Sequence, residues 1–99
     1  MNDLYLKLGR AMATKCKPGF HQAALLADME EEEGGSLKLT YSLDDGSEWE
    51  PELSEDDRHE LRGALTEVRH VQGREDGKIW KTCTVVLTRG GGFEMDVGY

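Results

Sequence analysis

The last third of the chain constrains the fold most. Phe93, Met95, Val97 and Tyr99 alternate with Glu94, Asp96 and Gly98. A two-residue period places one apolar row on one face of a sheet. Upstream, Ile79, Cys83, Val85 and Leu87 form a matching row, with Trp80, Thr82, Thr84 and Val86 opposite, so residues 79–88 and 93–99 read as paired strands around Arg89-Gly90-Gly91-Gly92. A Gly90-Gly91 turn would set Leu87 against Glu94, whereas a three-residue loop, Gly90 to Gly92, sets Leu87 against Met95 and Val85 against Val97. A one-residue slip turns every side chain to the wrong face, so the three-residue loop is expected, with a glycine in the left-handed region.

The rest of the chain supplies two helices and a second hairpin. Leu4, Leu8, Ala11 and Met12 fall at helical spacing, predicting a helix over 2–15 that Lys17-Pro18-Gly19 ends, with Tyr5 at the edge of the core. Residues 20–29 are apolar and bounded at a strand's length. Glu30-Glu31-Glu32-Glu33-Gly34-Gly35 follows as an exposed, mobile hairpin tip. Over 36–43, Leu37, Leu39, Tyr41 and Leu43 alternate with polar residues, predicting a strand with one wet face. Asp44-Asp45-Gly46-Ser47 is a turn, and 48–52 a short edge strand stopped by Pro51. Ser54 with Asp57 makes a shortened capping box for a second helix over 53–72. Its stripe is Leu61, Ala64, Leu65, Val68 and Val71, and Gly63 is expected to allow close approach to the sheet. The expectation is a single α+β domain over 1–99 in the order α-β-β-α-β-β: an antiparallel sheet of four to five strands with both helices on one face.

No residue pattern points to catalysis, a cofactor or a metal. His59 and His70 share a helix face but are separated by about 16 Å at 1.5 Å rise per residue, too far to share an ion. Asp44-Asp45-Gly46 lacks the ligand spacing of a calcium loop, and tandem glutamates fix no coordination geometry. Gly90-Gly91-Gly92 leads into a strand rather than a helix, unlike a phosphate loop. Cys16 and Cys83, one in a predicted helix and one in a predicted strand, lack an adjacent base; two free thiols are expected rather than a disulfide. No run approaches the roughly 18 apolar residues of a membrane span. The start, Met1-Asn2-Asp3-Leu4, lacks the basic and apolar regions of a signal peptide, so a cytoplasmic location is expected.

Charge is the remaining signal. Residues 28–60 carry fourteen acidic and two basic side chains, a net of −12, which leaves +4 for the rest of a chain whose total is −8. That distribution argues against nucleic acid as a direct partner and for a basic protein drawn in at long range. Trp49 lies between Glu48 and Glu50 beside a proline, the composition either of an interface anchor with a charged rim or of a lid folded back on the sheet edge. Asp44, Asp45, Glu48, Trp49, Glu50 and Glu52 are therefore the candidate partner-binding residues. An unpaired strand edge also offers a route to a homodimer.

With that order of elements, the chain resembles the YezG-like family of bacterial immunity proteins, antitoxins of secreted polymorphic toxins. The resemblance rests on the Leu4-Tyr5 helix, the strand ending near Tyr41, Trp80 opening a strand, and Gly92-Phe93 followed after five residues by Tyr99. It implies a non-enzymatic role: binding a basic cognate toxin, often a nuclease, and blocking it. A second expectation from charge alone is a phage-type acidic inhibitor, anti-CRISPR-like, that mimics DNA against a nucleic-acid-binding host complex.

Overall fold

The computed structural model describes residues 2–29 and 36–99. The tandem-glutamate turn of the sequence reading lies outside them. Helix α1 (Asn2–Ala13) is followed by strands β1 (Gln22–Asp28), β2 (Leu37–Ser42) and β3 (Glu48–Trp49), then helix α2 (Glu55–Asp76) and strands β4 (Thr82–Thr88) and β5 (Gly92–Gly98). The five strands form one antiparallel sheet in the order β3-β2-β1-β4-β5. The fold is α+β, as expected, and the short edge strand expected over 48–52 is the two-residue β3 between β2 and α2. Among the described residues, no helix is long and apolar enough to cross a membrane.

Register explains the core. Leu39, Leu25, Val85 and Met95 face one another across β2, β1, β4 and β5. Tyr41, Ala23, Leu87 and Phe93 make the row on one side, and Leu37, Ala27, Cys83 and Val97 the row on the other. Apart from Val97, these rows meet Leu8, Ala11 and Met12 of α1 and Leu61, Ala64 and Leu65 of α2 in a single apolar cluster. The opposite face carries Lys38, Thr40, Thr84, Glu94 and Asp96 together with the aliphatic Leu26 and Val86, and is open to water.

The C-terminal hairpin differs from expectation in one detail. Its loop has three residues, but they are Arg89, Gly90 and Gly91, so Leu87 faces Phe93, Val85 faces Met95 and Cys83 faces Val97. Gly90 and Gly91 hold φ of 98° and 101°, a region closed to most side chains, and so take the turn itself. Gly92 becomes the first strand residue, opposite Thr88. The shift moves the pairing by two positions and keeps every apolar side chain on its face.

Three further corrections concern the helices and the entry to β4. Gly63 faces open space rather than the sheet. The close approach is made at Gly9, where an added Cβ would lie 3.7 Å from Leu87 Cδ1. Helix α2 also runs one turn past Gln72 and stops at Gly77, whose φ of 73° and N–H bond to the Gly73 carbonyl (2.9 Å) form a left-handed cap. Because β4 begins only at Thr82, strand alternation does not reach Ile79 and Trp80. Ile79 is 56% exposed, whereas Trp80 is wholly buried. Trp80 Nε1 donates to Gln72 Oε1 (2.7 Å), Gln72 Nε2 donates to Tyr5 Oη (2.9 Å), and Arg69 Nε donates to the Trp80 carbonyl (2.7 Å). The Arg69 guanidinium lies 5.6 Å from the indole centre. The buried indole thus meets its polar requirement on α2 while its rings fill the core. Tyr5, at the core edge as expected, also packs on Phe93 with ring centres 5.2 Å apart.

The capping box forms as read. Ser54 Oγ accepts from the Asp57 N–H (3.0 Å), and Asp57 Oδ2 accepts from the Ser54 N–H (3.1 Å). The Ser54 backbone bond holds the Asp57 carboxyl below its ordinary pKa, with Lys15 adding a smaller pull. A depressed pKa contributes stability above the unfolded value, and that contribution is lost as pH falls through the folded value. Asp57→Asn is therefore expected to flatten the acid limb of a stability-versus-pH curve measured by urea unfolding. Gly63→Ala, in an exposed helical position with room for a methyl group, should raise stability by up to about 1 kcal/mol in the same assay. A loss there would contradict the solvent-facing placement.

Candidate partner-binding edge

The candidate residues occupy the β2–β3 hairpin and the segment leading into α2, and the fold divides them into two groups. Asp44 and Asp45 belong to the turn. Asp45 Oδ1 accepts from Ser47 N (2.9 Å) and Ser47 Oγ (2.6 Å), while Gly46 supplies the left-handed conformation, φ 86°. The Ser47 hydroxyl, followed by the Ser47 backbone N–H, holds the Asp45 carboxyl below its usual range. Asp44 reaches across the end of the sheet to Arg89 Nη1 (3.0 Å) and lies 3.9 Å from His21 Nδ1. Its charge is matched by the Arg89 guanidinium, brought from the β4–β5 loop, with the His21 imidazole beside it.

Glu48, Trp49, Glu50 and Glu52 form the second group. Glu48 pairs with Ser42 and points to the open face, while Trp49 pairs with Tyr41 and points to the helix side. Trp49 is 54% exposed, and its Nε1 donates to Ser47 Oγ (3.0 Å). A relay from Asp45 through Ser47 to the indole therefore orients a side chain that is more than half exposed. Glu50 and Glu52 flank a shallow depression shared with Pro51, Leu53 and Arg58. Glu55 and Asp56 follow at the α2 N-terminus, where the helix dipole favours negative charge. Among the described residues, none of Glu48, Glu50, Glu52, Glu55 and Asp56 takes part in an ion pair. Further along α2, Asp57 and Glu60 lie near Lys15 Nζ, at 4.0 and 3.4 Å. The uncompensated charge thus begins at β3 and ends within the first turn of α2.

The structure brings Glu48, Trp49, Glu50 and Glu52 to one sheet margin and separates Asp44 from them electrostatically. Sequence spacing could not show this, because Arg89 is 45 positions from Asp44. Nor did it reveal the Asp45–Ser47–Trp49 relay, although an aspartate two residues before a serine is a recognisable turn signal.

Other reactive groups are placed without a site around them. His59 and His70 are exposed on α2. Among the described residues, no three His, Cys, Asp or Glu side chains could hold a metal ion. Cys16 and Cys83 are free and buried, and burial pushes both thiols up to about 11. At neutral pH they are protonated and poorly nucleophilic.

Trp49 and Trp80 can be read separately by fluorescence. In Trp80→Phe, which keeps an aromatic ring in the core, Trp49 emission should be quenched more strongly by caesium than by iodide, because the surrounding carboxylates concentrate cations. Added salt should narrow that difference. Equal quenching by both ions at low salt would show that the charge around Trp49 is compensated. No protein-family model matches the chain, and no curated protein matches it.

Proposed function

We propose that this protein is a non-enzymatic inhibitor that binds a basic partner protein through the β3–α2 edge. The observation that carries the reading is the exposed, hydrogen-bonded Trp49 flanked by carboxylates that form no ion pair among the described residues. An oriented indole supplies apolar contact area at small entropic cost, and the unpaired charges around it speed encounter and select for positive partners. Desolvating Glu48, Glu50 and Glu52 is costly unless the partner brings Lys or Arg to each, so the rim also rejects neutral or acidic surfaces.

A nuclease toxin fits this requirement, since it must present a positive cleft to hold phosphates. In the immunity reading, the chain acts in the bacterial cytoplasm as the antitoxin of such an enzyme. Trp49 enters the cleft or seats on its rim, and the carboxylates occupy positions that phosphates would take.

The immunity reading expects a toxin gene beside the gene for this chain, and the test uses the product of that gene. Its affinity should fall steeply across a salt series, and Glu48→Lys with Glu50→Lys should weaken binding by roughly a hundredfold, about 2.7 kcal/mol. Protection of cells expressing the toxin should be lost in parallel. Affinity indifferent to salt and to the charge reversal would overturn the proposal.

A further inference from the structure

The opposite edge of the sheet carries a second unsatisfied surface. Among the described residues β5 pairs only with β4, which leaves its outer edge without a strand partner. Such an edge presents a row of N–H and C=O groups to any extended chain that can lie beside it. By contrast β3, at the other edge, is two residues long and is followed closely by Pro51.

The two faces of β5 differ in chemistry. On the helix side Phe93 and Met95 are half-buried against the core, Phe93 beneath Tyr5 of α1, whereas Val97 is 36% exposed. Beside it, Tyr5, Leu6, Gly9, Leu87 and Phe93 line an apolar groove, and Leu6 is 57% exposed. On the open face stand Glu94 and Asp96, whose neighbours across β4 are Val86 and Thr84. Among the described residues neither carboxylate has an ion-pair partner.

A second copy of this chain is a poor occupant. Full antiparallel pairing of two β5 strands, centred on Met95, sets Glu94 opposite the second copy's Asp96 on both sides of the axis. Like charges directly opposite destabilise a strand pair. The same alternation is complementary to a strand of the opposite pattern. Residues adjacent in a sheet point to the same face, so basic side chains would meet Glu94 and Asp96 while apolar ones extend the Phe93–Met95–Val97 row over the groove.

We propose that the free edge of β5 accepts an extended segment of a partner protein in which basic and apolar residues alternate, adding it as a further strand of the sheet. The inference stands on β5 and its groove and does not depend on the role of Trp49.

The probe is a capped peptide in which lysine and valine alternate, matched in length to β5, added to the full chain. Amide exchange followed by NMR should show new protection confined to β5. A scrambled peptide of the same composition, or one with glutamate replacing lysine, should bind at least about tenfold more weakly. The double variant Glu94→Lys, Asp96→Lys, changing two exposed side chains, should reverse the preference and take the glutamate–valine peptide, with its melting temperature recorded as the control for folding. Protection at residues 48–57 instead of β5, equal binding of the scrambled peptide, or an unreversed preference in a folded double variant would each overturn the proposal.

Discussion

Three rows of side chains cross the sheet from β2 to β5, and the remainder of the molecule is arranged to cover them. The middle row, Leu39–Leu25–Val85–Met95, is held by three antiparallel pairings that share one parity. Slipping any strand by one residue would present Lys38, Thr84 or Glu94 to the helices. The helices answer with Leu8, Met12, Leu61 and Leu65, all essentially without solvent contact. β1 contributes Ala23 and Ala27 on either side of Leu25. Their small side chains let α1 settle on the centre of the sheet. The cover is incomplete at both margins: on β5 Tyr5 packs on Phe93 but Val97 stays exposed, and on β3 Trp49 is more than half exposed. Both functional proposals fall at those margins.

The polar side of the same economy is visible at Trp80. The chain has few large apolar residues, and this one is entirely enclosed with its indole N–H bonded to Gln72. Gln72 in turn donates to Tyr5, so one amide joins α1, α2 and the entry to β4. Among the described residues no buried side-chain nitrogen or oxygen lacks a partner.

Much of the architecture was legible because it depends on local periodicity. The strict alternation at 37–43 and 93–99, the helical stripe from Leu61 to Val68, and the Ser54–Asp57 box each specify their element without help from distant residues. The failures occur where tertiary contacts decide. Parity read through Ile79 and Trp80 assumed a strand that begins only at Thr82, and the indole's partners on α2 outweigh that pattern. The hairpin register turned on which glycines adopt positive φ, a choice that three consecutive glycines leave open. For the candidate edge, composition marked Trp49 and its carboxylates correctly as neighbours. It could not show that Asp44 is matched by Arg89 across the sheet end, or that Asp45 is committed to Ser47. Sequence counts charge, while the fold decides which charges remain unpaired.

The account turns on the difference between the compensated turn at Asp44 and Asp45 and the uncompensated segment from Glu48 to Asp56. NMR titration of the isotopically labelled chain with its neighbouring toxin measures that difference residue by residue. The predicted result is that the largest amide and indole perturbations fall at residues 48–56, with Trp49 Nε1 among them, while the turn before Ser47 changes little. Perturbations gathered instead on the open sheet face, or centred on Asp44 and Arg89 with Trp49 unmoved, would contradict it.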